Sequence, residues 1–191
     1  MRKLLLFTLL MALFTMTAVA QESPIDKGSM IVGGTIGFQM LSGDAYDVDD
    51  ESYTAISVMP EFGYFVSPGL VVGGELLYSS ESQGDYIDNS TFGIGPMIGY
   101  YFNTNKESTE IKGALYPYIK GFFIYQSLSM GDFDITTMSF GGKAGINYML
   151  TDAVALDAGI RVLSDSWEPD GGDSVSGMNI MFSGGIQAFI F

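Results

Sequence analysis

The chain has 191 residues, is 47% hydrophobic and 14% aromatic, contains 25 glycines, and carries a formal net charge of −14 with no histidine and no cysteine. That length suits one domain with a buried core, and the acidic balance repels nucleic acid and anionic surfaces, whose direct binding needs a basic face. Without cysteine there is no disulfide, no thiol nucleophile and no lipid-modified N-terminal Cys.

The one long apolar run is at the start. Arg2 and Lys3 precede an apolar stretch from Leu4 to Met16, and Ala18-Val19-Ala20 offers a small-x-small cleavage site. Residues 1–20 read as a signal peptide cut before Gln21, leaving 21–191 as a single exported domain. Loss of Arg2 and Lys3 takes the formal charge from −14 to −16. No interior stretch approaches the roughly 18 apolar residues of a transmembrane helix.

From Ser29 onward the chain alternates with a period of two, as strands do. Ser29 to Met40 places Met30, Val32, Ile36, Phe38 and Met40 opposite Gly33, Thr35, Gly37 and Gln39. Tyr53 to Val66 sets Ile56, Val58, Pro60, Phe62 and Tyr64 against Ser57, Met59, Glu61 and Gly63. Ser67-Pro68-Gly69 then makes a tight turn, because proline presets φ and glycine permits a positive one. Leu70 to Ser79 has Leu70, Val72, Leu76 and Tyr78 against Gly73 and Glu75, and Thr91 to Phe102 has Phe92, Ile94, Pro96, Ile98 and Tyr100 against Gly93, Gly95 and Gly99. Leu115 to Gln126 is the least regular, since Phe122-Phe123-Ile124 is apolar on both faces, and a bulge is one way to absorb that. Thr137 to Leu150, Ala153 to Leu163 and Gly177 to Phe191 complete the set.

Eight strands with longer connections after the odd ones and mostly short turns after the even ones imply an all-β, eight-stranded antiparallel up-and-down barrel. The second face carries chiefly Gly, Ser and Thr with few charges, too sparse for a solvated exterior but suited to a narrow filled lumen. Aromatics at strand ends (Tyr53, Tyr64, Phe65, Tyr78, Phe92, Tyr100, Phe102, Tyr125, Tyr148) suggest two interfacial girdles. The expected fold is therefore a transmembrane barrel in the outer membrane. Its long loops hold fourteen acids and no Lys or Arg: Asp44, Asp47, Asp49, Asp50, Glu51, Glu81, Asp85, Asp88, Asp132, Asp134, Asp165, Glu168, Asp170 and Asp173. Long loops face outward in such barrels.

The segments PEFGYFVSPGLVVGGELLY (Pro60 to Tyr78), TFGIGPMIGYYF and LYPYIKGFF resemble the OmpX/OmpA-type eight-stranded outer-membrane barrels of Gram-negative bacteria. The resemblance spans the whole mature chain and implies a Gram-negative outer-membrane protein in contact with outer-membrane lipid and lipopolysaccharide. The final stretch, Gly177 to Phe191, resembles the C-terminal signal read by the barrel assembly machinery. In that signal the last residue shares the lipid-facing parity, whereas Phe189 and Phe191 have the opposite parity to Ile186 and Ile190. Either a bulge near Gly184-Gly185 switches the register or the two aromatics face inward.

On the expected lumen face lie Glu61, Glu75, Lys120, Lys143, Asp157 and Arg161. Unpaired buried charges are costly, so these should pair, either as a polar plug or as a gated ion pathway. Asp47, Asp49, Asp50 and Glu51 offer hard oxygen ligands at close spacing and are weak candidates for Ca²⁺ or Mg²⁺, without the glycine and terminal glutamate of a calcium loop. The chain lacks the His that barrel enzymes of this size resemble one another in using, and general base work would need a strongly shifted carboxylate or lysine. No catalytic residue and no cofactor is expected. The function expected is a structural or surface-interaction barrel whose surface ligand is unknown, with a small or gated pore as the alternative.

Overall fold

The computed structural model describes residues 23–42, 54–83, 87–102, 110–130, 133–167 and 175–191. Eight strands, β1 (Met30–Ser42), β2 (Thr54–Ser67), β3 (Leu70–Gln83), β4 (Ile87–Tyr101), β5 (Leu115–Met130), β6 (Phe133–Met149), β7 (Val154–Trp167) and β8 (Val175–Ile190), pair in sequence order into a closed antiparallel barrel. Closure is made by β1 against β8, from Met30↔Ile190 to Ser42↔Met178. Every edge is thereby paired, which a sheet in lipid requires.

The registers fix the geometry. Paired residues followed once round from Ile31 run through Gly63, Gly73, Met97, Phe122, Gly141, Leu163 and Asn179, and return to β1 at Leu41, ten residues beyond the start. With about 3.3 Å per residue and about 4.8 Å between strands, that stagger tilts the strands by about 40°.

Outward-facing side chains form an apolar band around the middle of the barrel: Val32, Ile36 and Phe38 on β1, Ile98 on β4, Ile119 on β5 and Phe182 on β8 are all exposed. Such an unbroken apolar surface is stable only against lipid. Tyr64, Tyr100, Phe102 and Tyr148 lie toward the end bearing the Ser67–Gly69 turn, and Tyr78, Phe92 and Tyr125 toward the opposite end; all are exposed. Phe65 is not part of a girdle, because it points into the lumen and is fully buried. Tyr53 lies outside the described residues.

The structure corrects several sequence expectations. β3, β5, β6 and β7 run past the expected limits, to Gln83, Met130, Phe133 and Trp167, so only residues 84–86 and 131–132 separate two of the outer hairpins. The tips of β3 and β7 carry mostly Ser, Asp, Glu and Gln, so hydrophobic alternation does not mark them, whereas at the tips of β5 and β6 the ladder continues through Leu128↔Ile135 and Met130↔Phe133. Asp165, expected in a loop, is a buried lumen residue of β7, and Glu81, Asp88 and Asp134 are strand positions. β5 contains no bulge: its registers with β4 and β6 are continuous, and Phe122 and Ile124 are buried inside while Phe123 is exposed to lipid. The β2–β3 ladder shifts only beside the turn, between Phe65 and Ser67, where Gly69 takes φ +77°.

β8 likewise keeps one register through Gly184-Gly185. Phe189 therefore points inward and is buried, with its ring centroid 6.4 Å from Phe65 and 6.3 Å from Tyr101. Phe191 packs partly buried against the same cluster.

Candidate functional site: the barrel lumen

All six charged residues singled out from the sequence lie inside the barrel, each at most 4% exposed. Lys120 Nζ on β5 donates to Glu61 Oε1 on β2 at 2.6 Å, Lys143 Nζ on β6 to Asp157 Oδ1 on β7 at 2.6 Å, and Arg161 Nη1 on β7 to Glu75 Oε1 on β3 at 2.5 Å. Three cations thus meet three anions. Only Lys143 and Asp157 sit on adjacent strands; the other two pairs cross the barrel.

Polar and aromatic side chains extend each pair. Gln187 Nε2 on β8 donates to Glu61 Oε1 at 2.6 Å, and Gln187 Oε1 accepts from Asn147 Nδ2 at 2.6 Å and from Tyr101 OH at 3.3 Å. The Tyr118 hydroxyl donates to Asp157 Oδ2 at 2.6 Å. Lys120 Nζ stands 4.6 Å from the Tyr118 ring centroid and 5.5 Å from that of Tyr101, within the range of cation–π attraction. The Arg161 guanidinium lies over the Phe122 ring at 4.0 Å, and its Nη1 also reaches Met59 Sδ at 3.1 Å. Among the described residues, Arg161 Nε and Nη2 and Asn147 Oδ1 have no hydrogen-bond partner.

Lumen glycines make room for these long side chains. A Cβ on Gly145 would stand 2.5 Å from the Tyr118 hydroxyl, one on Gly159 2.7 Å from Lys143 Cε, and one on Gly99 2.8 Å from Lys120 Cγ. The alternation of Gly with charge along β6 and β7, and the run of inward glycines on β4, is thus a packing code: one strand's gap receives its neighbour's side chain.

Apolar layers bound the charges on both sides. Toward the periplasmic turns, Ile31, Phe65, Val71, Tyr101, Tyr116, Met149 and Phe189 form one cluster, joined by Ile25. Ile25 comes from the segment before β1, which folds across this end: Gly28 N–H donates to Phe65 O, and Gly69 N–H to Ile25 O, each at 2.8 Å. Toward the other end come Met59, Leu77 and Met181, then a polar layer in which Gln126 Nε2 donates to Ser139 Oγ at 2.5 Å and Ser139 Oγ donates to Asp165 Oδ1. Ser57 Oγ donates to Ser79 Oγ at 3.0 Å in the same layer.

Asn147, Gln187, Tyr101 and Tyr118 are not among the residues singled out from the sequence. Lumen parity close to Lys120 and Lys143 was the available signal, but their levels depend on the barrel stagger. Asp47, Asp49, Asp50 and Glu51 lie outside the described residues; among the described residues no cluster of three or more potential ligands could hold a metal.

A family model described as "Outer membrane protein beta-barrel domain" matches residues 6–184. The chain belongs to that family. That family places this barrel in the outer membrane. Among solved structures the chain is similar to Neisserial surface protein A, at 18% identity over 85% of this chain and 99% of that one, with a TM-score of 0.66. It is also similar to OprG of Pseudomonas aeruginosa, at 12% identity over 88% and 98% of the two chains, with a TM-score of 0.49. Ail of Yersinia pestis gives 14% identity, 84% and 99% coverage, and 0.45. At these identities the likeness is one of fold. No curated protein matches the sequence.

Proposed function

We propose that this outer-membrane barrel is a non-enzymatic structural and surface-interaction protein whose lumen is plugged, and whose acidic outer loops meet lipopolysaccharide or another surface ligand. The observation that supports the plug is the mutual pairing of Glu61–Lys120, Asp157–Lys143 and Glu75–Arg161 between two apolar layers. An ion entering that lumen would have to displace ion pairs already satisfied and pass side chains packed without charge, which costs several kcal/mol or more. An eight-stranded barrel of this stagger has an interior about wide enough for its own side chains.

Planar-bilayer recording of the refolded barrel tests this. Electrical silence is expected, for the native chain and for Lys143→Ala. Stable conductance steps in the native chain, abolished by Lys143→Ala or Arg161→Ala, would replace the plug with a small or gated pore.

The acidic loops would meet anionic lipopolysaccharide through a bridging Ca²⁺ or Mg²⁺, since like charges repel directly. Calorimetric titration of the detergent-folded barrel with Ca²⁺ is expected to give heat, and none at millimolar ion would remove the bridge. Assembly through Gly177–Phe191 belongs to the same reading, with the barrel assembly machinery as the partner.

A further inference from the structure

A groove of about 320 Å³ opens on the lipid-facing side of β3, β4 and β5. Leu70, Ile98, Tyr100 and Ile119 line it together with Gly121. Lys120 contributes only backbone, because its side chain is turned fully into the lumen. The direction of the groove comes from the registers. Leu70 opens β3 immediately after the Ser67–Gly69 turn and pairs with Tyr100, which pairs with Ile119; Ile98 and Gly121 pair two residues deeper on each strand. The groove therefore runs from the aromatic level at the periplasmic end, where the rings of Tyr100 and Phe102 meet edge to face at 5.1 Å, toward the middle of the bilayer.

The barrel has no need of glycine at its inner end. A Cβ on Gly121 would meet nothing nearer than Ile98 Cγ2 at 3.8 Å, whereas glycine within a strand costs about 0.5–1 kcal/mol relative to a residue with a side chain. A missing side chain that the protein's own packing does not require leaves room for something outside it.

The occupant is set by where the groove lies. It is continuous with the lipid interface of the barrel and reaches from the aromatic level inward, where only hydrocarbon chains lie. A protein partner would need on the order of 1,200 Å² of buried surface, and a slot of this size offers a seat for a single hydrocarbon chain. We propose that the groove seats one acyl chain of a phospholipid from the periplasmic leaflet, with its glycerol and headgroup at the level of Tyr100.

The test uses barrels refolded in dimyristoylphosphatidylcholine vesicles doped with phosphatidylcholine spin-labelled near the chain end. Electron paramagnetic resonance then counts the motionally restricted lipids per barrel. Gly121→Leu fills the groove and is expected to lose a single restricted lipid. Gly184→Leu, another outward glycine with its nearest neighbour at 3.7 Å but outside the groove, is expected to lose none. Removing the walls with Ile98→Ala and Ile119→Ala should lose the same lipid as Gly121→Leu, and it keeps the test available if that variant does not refold. An unchanged count in the groove variants, or an equal loss in Gly184→Leu, overturns the proposal. Because the chain has no cysteine, Gly121→Cys also reports on a second copy. It should stay monomeric under oxidation in vesicles, and high-yield disulfide dimers would overturn the acyl chain in favour of a barrel–barrel contact.

Discussion

Arg161 is among the largest fully buried side chains of the described barrel, and what holds it there is Glu75 on the opposite wall and the face of Phe122. Arg161→Met leaves the Glu75 carboxylate buried without its partner, so the unfolding free energy in lipid vesicles should fall by about 3–5 kcal/mol. Adding Glu75→Met should recover most of that loss, because a buried ion pair and an apolar pair of similar volume are often near equal in stability. Urea titration of the four members of the cycle checks both statements, and a double variant as unstable as the single one would mean the pair is not the source. Glycines divide by the same reasoning. Gly145→Ala drives a methyl against Ala158 O and the Tyr118 hydroxyl, both at 2.5 Å, and should cost about 1–3 kcal/mol. Gly121→Ala meets its nearest neighbour, Ile98 Cγ2, at an ordinary contact distance of 3.8 Å and should be neutral or stabilising by up to about 1 kcal/mol. Equal destabilisation of the two would contradict the division between inner and outer glycines.

Among the elements, β8 shows what alternation alone could and could not reveal. Its parity was legible, because Met178, Phe182, Ile186 and Ile190 all face lipid. The inward turn of Phe189 was not decidable from the strand itself, since an aromatic suits either side of a barrel whose periplasmic end is apolar inside as well as out. That second apolar face is made by Ile31, Phe65, Val71 and Tyr101; beyond Lys120, Phe122 faces the lumen under Arg161 and Ile124 does so near Leu77, which is why Phe122-Phe123-Ile124 is apolar on both sides. The prolines had a plainer reading. The β2–β3 ladder steps from Val58↔Tyr78 to Glu61↔Glu75 across Pro60, and β4–β5 from Ile94↔Tyr125 to Met97↔Phe122 across Pro96, with register kept, because proline has no N–H to give. Phe189→Ala should destabilise the folded barrel by about 3–5 kcal/mol, as for other large-to-small changes at buried aromatics. Deleting the partly buried Phe191 should cost less stability than that, measured by the urea midpoint in lipid vesicles, while its effect on assembly in cells is a separate readout of the terminal signal.

At the scale of the molecule, the eight strands, their order and the choice of lipid-facing side were all written in the period of the apolar residues, because lipid imposes one rule along the entire circumference. The lumen contacts were legible only as a set of charges that had to find partners. Which anion meets which cation depends on the stagger of ten residues, a property of the closed barrel that no single strand carries. Two of the three pairs cross the barrel, and the hydrogen bond from Gln187 to Glu61 joins residues 126 apart in sequence. Those long separations also order events in time. A chain that inserts its strands in order brings Glu61 into the membrane with β2, and Lys120 arrives only with β5. Gln187 comes with the strand that shuts the wall. Until then the half-built barrel holds polar groups in an interior that is incomplete, a state with high contact order and a slow route forward. Closure of the wall and completion of the interior are therefore a single event, and an intermediate arrested before β8 should be conspicuously easy for proteases to reach.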